Sequence, residues 1–304
     1  MSKLSTTVDE QIAILRERGM EMSNEEKARE HLLDIGYYRL VFYWFPFEET
    51  FPSKKNRTHK FKEGSQFDWA VELYYFDFDL RNLLLRYISR VEVNFRTSVI
   101  YHVSNEYKND PVWYVNHRVV KPKFVRSKEY AAQIYRASIN ESPLIEHLSK
   151  HKGDRYAPAW KLIEYLTFGT LLSLYDNLTN ESLKTKIAKL YGYKSSSVFS
   201  NHMATIKRLR NLCAHSNVMF DTALPKAIST RCAIKGINQN KTSLMGAILV
   251  LHNMLGAISS NRACEMLDKL GEILEGIKDE SVLSVIRDNS GIYFDTIKTT
   301  SENF

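Results

Sequence analysis

An all-α fold is the class this sequence predicts. Apolar residues recur at three- and four-residue spacing through most of the chain, alternating strand patterns are scarce, and helix-capping signals open one segment after another. Residues 7–10, from Thr7 to a glutamate three positions on, read as a capping box that opens a first helix, closed by Gly19. Ser23 and Glu26 repeat that signal for a second helix, which ends near Gly36. An aromatic block follows over 37–47, then a polar, basic, proline-containing loop over 48–64. From 67 to about 107 the spacing of Leu73, Phe76, Leu80, Leu84, Tyr87, Val91, Phe95 and Val99 predicts one very long helix, or two joined by a kink, at the centre of a bundle. Asp110 and Pro111 end it. Shorter helices are predicted over 128–139 and 144–151, and another starts at Ala157 and Pro158 and carries Trp160, Ile163, Glu164 and Leu166. The pattern continues over 171–178, 181–191 and a long run at 197–215. After a loop marked by Pro225 and residues 236–240 it resumes over 243–258, 262–277 and 281–287.

Composition excludes several classes. With 304 residues, 44% hydrophobic and 25% charged, the chain reads as an ordinary soluble globular protein. The longest apolar run, 244–258, is interrupted by Gly246, His252, Asn253 and Gly256, and the first residues lack a signal peptide's apolar core. A cytoplasmic protein without membrane contact is expected. Cys213, Cys232 and Cys264 stand far apart with no CxxC pair, which fits reduced thiols and argues against a disulfide framework or a cysteine-based zinc site. His147 and His151 share a helix face, but Lys150 and Lys152 flank them and no third ligand is near, so they read as a solvated face. The phosphate-binding glycine loops, GxSxG and HExxH are absent. No metal or cofactor is expected.

The net charge of +7 is uneven. Lys54, Lys55, Arg57, Lys60 and Lys62 form one basic cluster; Lys121, Lys123, Arg126 and Lys128 form a second, followed by Lys150, Lys152 and Arg155, whereas acids outnumber bases from 262 onward. Such clusters suit a polyanion, most directly nucleic acid; the alternative reading is solvated, lysine-rich loops. Within the aromatic block Tyr37, Tyr38, Phe42, Tyr43, Trp44, Phe45 and Phe47 read as core, and Arg39 among those rings needs a partner. Glu92 and Arg96, four apart, read as an intrahelical ion pair.

One segment carries chemistry. Arg210, Asn211 and His215 fall within two turns at the end of the 197–215 run, next to Lys207 and Arg208. Asn211 and His215 share a helix face, and the long Arg210 side chain points somewhat aside. A guanidinium binds phosphate oxygens bidentately and an imidazole titrates near neutrality, so the set can grip a phosphodiester and move a proton. That pairing suits attack of an RNA 2′-hydroxyl on its adjacent phosphate, with no metal required. Arginine followed by histidine at this spacing is weak by itself, and Arg96 with His102 matches it loosely on different helix faces.

The segment Arg210-Asn211-Leu212-Cys213-Ala214-His215 resembles the RN-x-CAH signature of Abi-like proteins of the abortive-infection D/F type. Further blocks match in order. Ile35-Gly36-Tyr37-Tyr38-Arg39-Leu40 resembles IGYYRL; Tyr74, Phe76, Asp77, Leu80 and Arg81 resemble LY-x-FD-xx-LR; Glu92 and Arg96 resemble the IE-xxxR that follows. Trp160, Glu164, Thr167-Phe168-Gly169-Thr170-Leu171 and Leu174-Tyr175 resemble W-xxx-E-xx-TFGTL-xx-LY. The resemblance covers roughly residues 3–222. It implies a HEPN-like helical bundle with additional N- and C-terminal helices, a metal-independent endoribonuclease and commonly a homodimer. It also implies bacterial phage defence through growth arrest, sometimes restrained by a protein or RNA antitoxin. Carried over residue by residue, it places catalysis on Arg210, Asn211 and His215 with Glu164 as a supporting acid. Lys207, Arg208, Lys121, Lys123, Arg126 and Lys128 are the RNA-binding candidates from charge. Where the family often continues CAHHSRLWN, this chain has Ser216 for the second histidine and Val218 for the arginine. That departure, with the basic clusters, motivates the runner-up: a non-catalytic RNA-binding or interaction module on the same bundle. The expected division is a helical domain over 1–222 and a helical extension over 223–304 packed on it.

Overall fold

The computed structural model describes residues 4–232, 234–295 and 297. Among them the chain forms 14 α-helices and no β-strand, only isolated bridges at Glu21–Gln66, Glu48–Phe61 and Val120–Leu178. The all-α expectation holds.

Helix α1 (Val8–Glu17) opens on the predicted capping box, in which Thr7 accepts from the Glu10 N–H while the Glu10 side chain accepts from the Thr7 N–H. For α2 (Glu25–Asp34) the cap is Asn24, one residue later than predicted, because the Ser23 hydroxyl donates instead to Asp68. The aromatic block folds as α3 (Tyr37–Trp44), followed by a 3-10 turn at Phe45–Phe47. Its rings divide: Tyr43, Trp44, Phe45 and Phe47 are buried, but Tyr38 and Phe42 face solvent.

Helix α4 (Phe67–Glu106) is one unbroken 40-residue element, roughly 60 Å long. It contains no glycine or proline, which is why no kink forms. Most of its apolar side chains are buried where α3, α11, α12 and α13 pack along it, and one stripe through Tyr75, Phe78, Asn82, Arg86, Val93, Thr97 and Tyr101 faces solvent. Burial of each large side chain contributes about 1.5–3 kcal/mol, so α4 is the spine of the core.

Helices α5 (Pro122–Val125), α6 (Lys128–Asn140) and α7 (Ser142–Lys150) form a side layer joined through α8 (Ala159–Leu162). The segment expected as one helix from 157 is α8 plus a 3-10 turn at Ile163–Tyr165. The expected solvated face at His147 and His151 needs correcting: His147 is buried, between Lys161 (3.5 Å to Nδ1) and Asp154 (3.4 Å to Nε2). No group of three metal-ligating side chains occurs among the described residues.

Helix α9 (Phe168–Asp176), capped by Thr167, and α10 (Glu181–Lys189) lead into α11 (Ser196–Ala214). The last third comprises α12 (Leu244–Ile258), α13 (Ser260–Glu275) and α14 (Glu280–Ser290). α12 is apolar on nearly every face because α4, α11 and α13 cover it. Gly246 is needed there: a Cβ would lie 1.8 Å from the Asn240 carbonyl oxygen. No helix among the described residues is long and apolar enough to cross a membrane.

Two core histidines make stability sensitive to acid. Burial lowers His252 to about 4 and also lowers His202, whose ring lies 2.8 Å from both Tyr193 Oη and the Ser229 carbonyl. The folded state therefore keeps His252 neutral while the unfolded chain takes up a proton below about pH 6.5, so its contribution is full above that pH and lost as pH falls toward 4. Asp77, which burial raises to about 6, acts oppositely, contributing more as pH falls through 6. The His252 effect is therefore read as a difference. Between pH 6.5 and 4 the wild type should lose on the order of 3 kcal/mol relative to His252→Gln in urea unfolding; parallel pH profiles for the two proteins would contradict it.

Candidate active site at the end of α11

Helix α11 buries Phe199, His202, Met203, Ile206, Leu209, Leu212 and Cys213 and presents Arg208, Asn211, Ala214 and His215 to solvent. At about 100° per residue, Arg210 and His215 lie roughly 140° apart around the helix, at opposite borders of the exposed strip, with Asn211 between them. Arg210 Nη1 donates to Asn211 Oδ1 at 3.4 Å. The His215 imidazole is exposed and makes no hydrogen bond or ion pair among the described residues. Within one chain the guanidinium and the imidazole are not in contact.

What fixes this helix end is a buried scaffold. The helix closes in a Schellman turn: the Ser216 N–H donates to the Cys213 carbonyl (3.1 Å) and the Asn217 N–H to the Leu212 carbonyl (3.0 Å). Ser216 adopts φ +52°, the left-handed region that glycine usually fills. Arg39 donates to the Ser216 carbonyl, which identifies the partner that the arginine among the rings required. Arg81 Nη1 donates to the Asn217 carbonyl at 3.1 Å. Asp77, fully buried, accepts from the N–H groups of Met219 (2.7 Å) and Phe220 (2.9 Å) and from Tyr43 Oη (3.2 Å), and Arg81 lies 3.6 Å from it. Burial is the largest influence on the Asp77 carboxyl, pushing it up to about 6 against the pull of those donors.

A second link was missed from sequence. Arg96 is buried and donates to the carbonyls of Ile163, Glu164 and Leu166 and to Glu92 Oε1 at 3.0 Å. The intrahelical pair is therefore present, but Glu92 does more: its other oxygen lies 4.0 Å from Arg210 Nε. Glu92 is the acid that reaches the arginine. The Glu164 carboxylate is exposed and makes no hydrogen bond or ion pair among the described residues; its turn is tied to Arg210 through Arg96 and Glu92.

The basic candidates diverge. Lys207 lies beside Gly169, whose added Cβ would sit 3.6 Å from its Cδ, and lines a recess of about 300 Å³ with Ser127 and Thr167. Lys207 and Lys121 both act electrostatically on Asp176, whose carboxyl is raised overall by burial. Arg208 points instead into a cleft of about 600 Å³ with Lys54 and Arg57 of the first basic cluster. Lys121, Lys123, Arg126 and Lys128 are exposed around α5 and the start of α6, and Arg126 shares a groove with Arg155, Tyr135 and Tyr156.

No curated protein and no solved structure matches the chain. A family described as Abi-like protein matches residues 30–221, well over half of the 304 residues, beginning later than the 3–222 span of the sequence resemblance and leaving α1 and α12 to α14 outside it. The match takes in the motif at the end of α11 and the α3 and α4 residues that hold it: the chain belongs to the Abi-like protein family.

Proposed function

We propose that this Abi-like protein acts in abortive infection as a metal-independent endoribonuclease of the HEPN kind, cutting RNA at the end of α11. One observation carries the reading. Arg39 on α3 and Asp77, Arg81 and Glu92 on α4, all far from α11 in sequence, converge on Arg210 or on the turn after His215, and Arg96 holds Glu92 in place. Such a scaffold around an exposed Arg–Asn–His set is what a preorganised phosphodiester site needs.

In the reaction, the RNA 2′-oxygen attacks its neighbouring phosphorus and gives up its proton while the bond from phosphorus to the 5′-oxygen breaks. The departing 5′-oxygen takes up a proton, leaving a 2′,3′-cyclic phosphate and a 5′-hydroxyl. His215 handles a proton, Arg210 neutralises charge on the equatorial oxygens, and Asn211 orients Arg210. Arg210 and His215 lie on opposite borders of the strip, so two chains meeting at this helix end would each supply part of a composite site. A homodimer is therefore part of the proposal, as is an antitoxin, protein or RNA, that covers the site. Glu164 has the weaker supporting role, since Glu92 stands nearer Arg210.

Glu92 acts as a positioning residue. Glu92→Gln is expected to lower kcat for RNA cleavage about 10- to 100-fold, the range for a displaced catalytic group, and Glu92→Asp should recover part of it. An unaltered kcat in Glu92→Gln would remove Glu92 from the site.

Induced expression in a bacterial host tests the function as a whole. Wild type should arrest growth and fragment cellular RNA, and His215→Ala should do neither; arrest that persists in the variant would overturn the assignment. The exposed, uncontacted imidazole and the serine at 216 favour a second reading, a binding module without cleavage. It predicts salt-sensitive RNA binding with intact RNA from both proteins.

A further inference from the structure

The cleft that receives Arg208 has a composition the cleavage reading does not use. Arg39, Lys54, Arg57 and Arg208 line it against one carboxylate, Asp221, and Phe42 and Phe45 supply its aromatic wall. These cations are not equally committed. Arg57 is taken up by the buried Glu48, to which it donates through Nε (2.9 Å) and Nη2, and its guanidinium lies 4.2 Å over the Phe45 ring. Arg57 therefore builds the wall and neutralises Glu48. Lys54 reaches Asp221 at 3.4 Å but is 75% exposed, so that pair is weak. Arg39 spends one nitrogen on the Ser216 carbonyl. Arg208 makes no hydrogen bond or ion pair among the described residues. A guanidinium left open beside three other cations favours an anion.

The aromatic wall narrows the choice of anion. Phe42 is 45% exposed, with the more exposed Tyr38 set edge-on to it at 6.1 Å. An open ring beside an open guanidinium matches a flat base attached to a phosphate. Position narrows it further, since Leu212, Asn217 and Val218 line the same cleft and bracket His215 in the chain. We propose that this cleft holds one nucleotide of a single-stranded RNA, its base against Phe42 and its phosphate on Arg208, next to the phosphodiester presented at His215. The proposal rests on the RNA reading above and names the subsite that orients the strand. Arg57 is unsuited to testing it, because its loss would strand the buried Glu48.

The test is binding of a fluorescent oligouridylate by the full chain carrying His215→Ala, in EDTA, over a series of salt concentrations. Adding Arg208→Glu should weaken binding at least tenfold and make the salt dependence shallower by about one counterion. Adding Phe42→Ser should weaken binding about tenfold with the salt dependence unchanged, as loss of stacking requires. Lys189→Glu on α10, outside the cleft, should stay within twofold, and matching unfolding temperatures show that all variants fold. AMP should displace the oligonucleotide only weakly. Affinities in Arg208→Glu and Phe42→Ser equal to the parent's would overturn the proposal, as would no oligonucleotide binding by the parent, or tight AMP binding that the oligonucleotide cannot displace. Cleavage separates this outcome from the broader reading. His215-dependent cleavage with parent-like affinity in both variants removes the cleft alone; cleft-dependent binding without cleavage removes the nuclease alone.

Discussion

His215→Ala is expected to lose RNA cleavage by about 10²- to 10⁴-fold, the usual contribution of a positioned acid–base group, with no change in unfolding temperature. The two halves of that expectation have separate physical grounds. The imidazole is exposed and bonds to no described residue, so its removal exposes no cavity and orphans no partner. The backbone N–H of residue 215, which donates to the Asn211 and Cys213 carbonyls, survives in alanine, so the helix end keeps its geometry. His215→Gln should be as inactive as the alanine variant, since an amide can donate a hydrogen bond but cannot carry the proton. Full activity in His215→Gln would mean that the side chain only orients RNA.

Asp77→Ala is the expected large effect on stability. The carboxylate satisfies two backbone N–H groups and Tyr43, and sits beside Arg81, itself 95% buried by its 5% exposure. Removing it leaves a buried guanidinium without its counter-charge and two N–H groups without an acceptor, which costs about 3–5 kcal/mol. For a chain of this size the unfolding temperature should fall by roughly 5–8 °C. Cleavage should fall with it even below that temperature, because residues 217–220 no longer pin the turn that follows His215. An unfolding temperature within a degree or two of wild type would show that the clamp carries little energy.

These two residues also mark what the sequence could and could not disclose. Helix α4 was readable because nothing in it breaks a helix, and α1 because its cap is a local four-residue pattern. Helix α3 was readable only as a block of rings: Gly36 offers no side-chain cap, and which rings are buried depends on the elements that pack against them. The Arg–Asn–His set was visible as a spacing, whereas its support was not. Arg39 meets the Ser216 carbonyl across 177 residues, and Asp77 meets the Met219 N–H across 142. Local periodicity carries no information about such pairs. Glu92 and Arg96 looked complete as an i, i+4 pair, and that completeness concealed the second carboxylate oxygen facing Arg210. Lys207 and Arg208, adjacent in sequence, diverge by one helical step into two different recesses, so a basic doublet read as one patch is two.

The most direct test of the central claim is the chemistry of the cut. Purified wild type and His215→Ala should be incubated with cellular RNA in EDTA and the new fragment ends identified. Fragments from wild type alone, ending in 2′,3′-cyclic phosphate with 5′-hydroxyl partners, are the predicted result. Equal fragmentation by the two proteins, or 5′-phosphate ends, would contradict it.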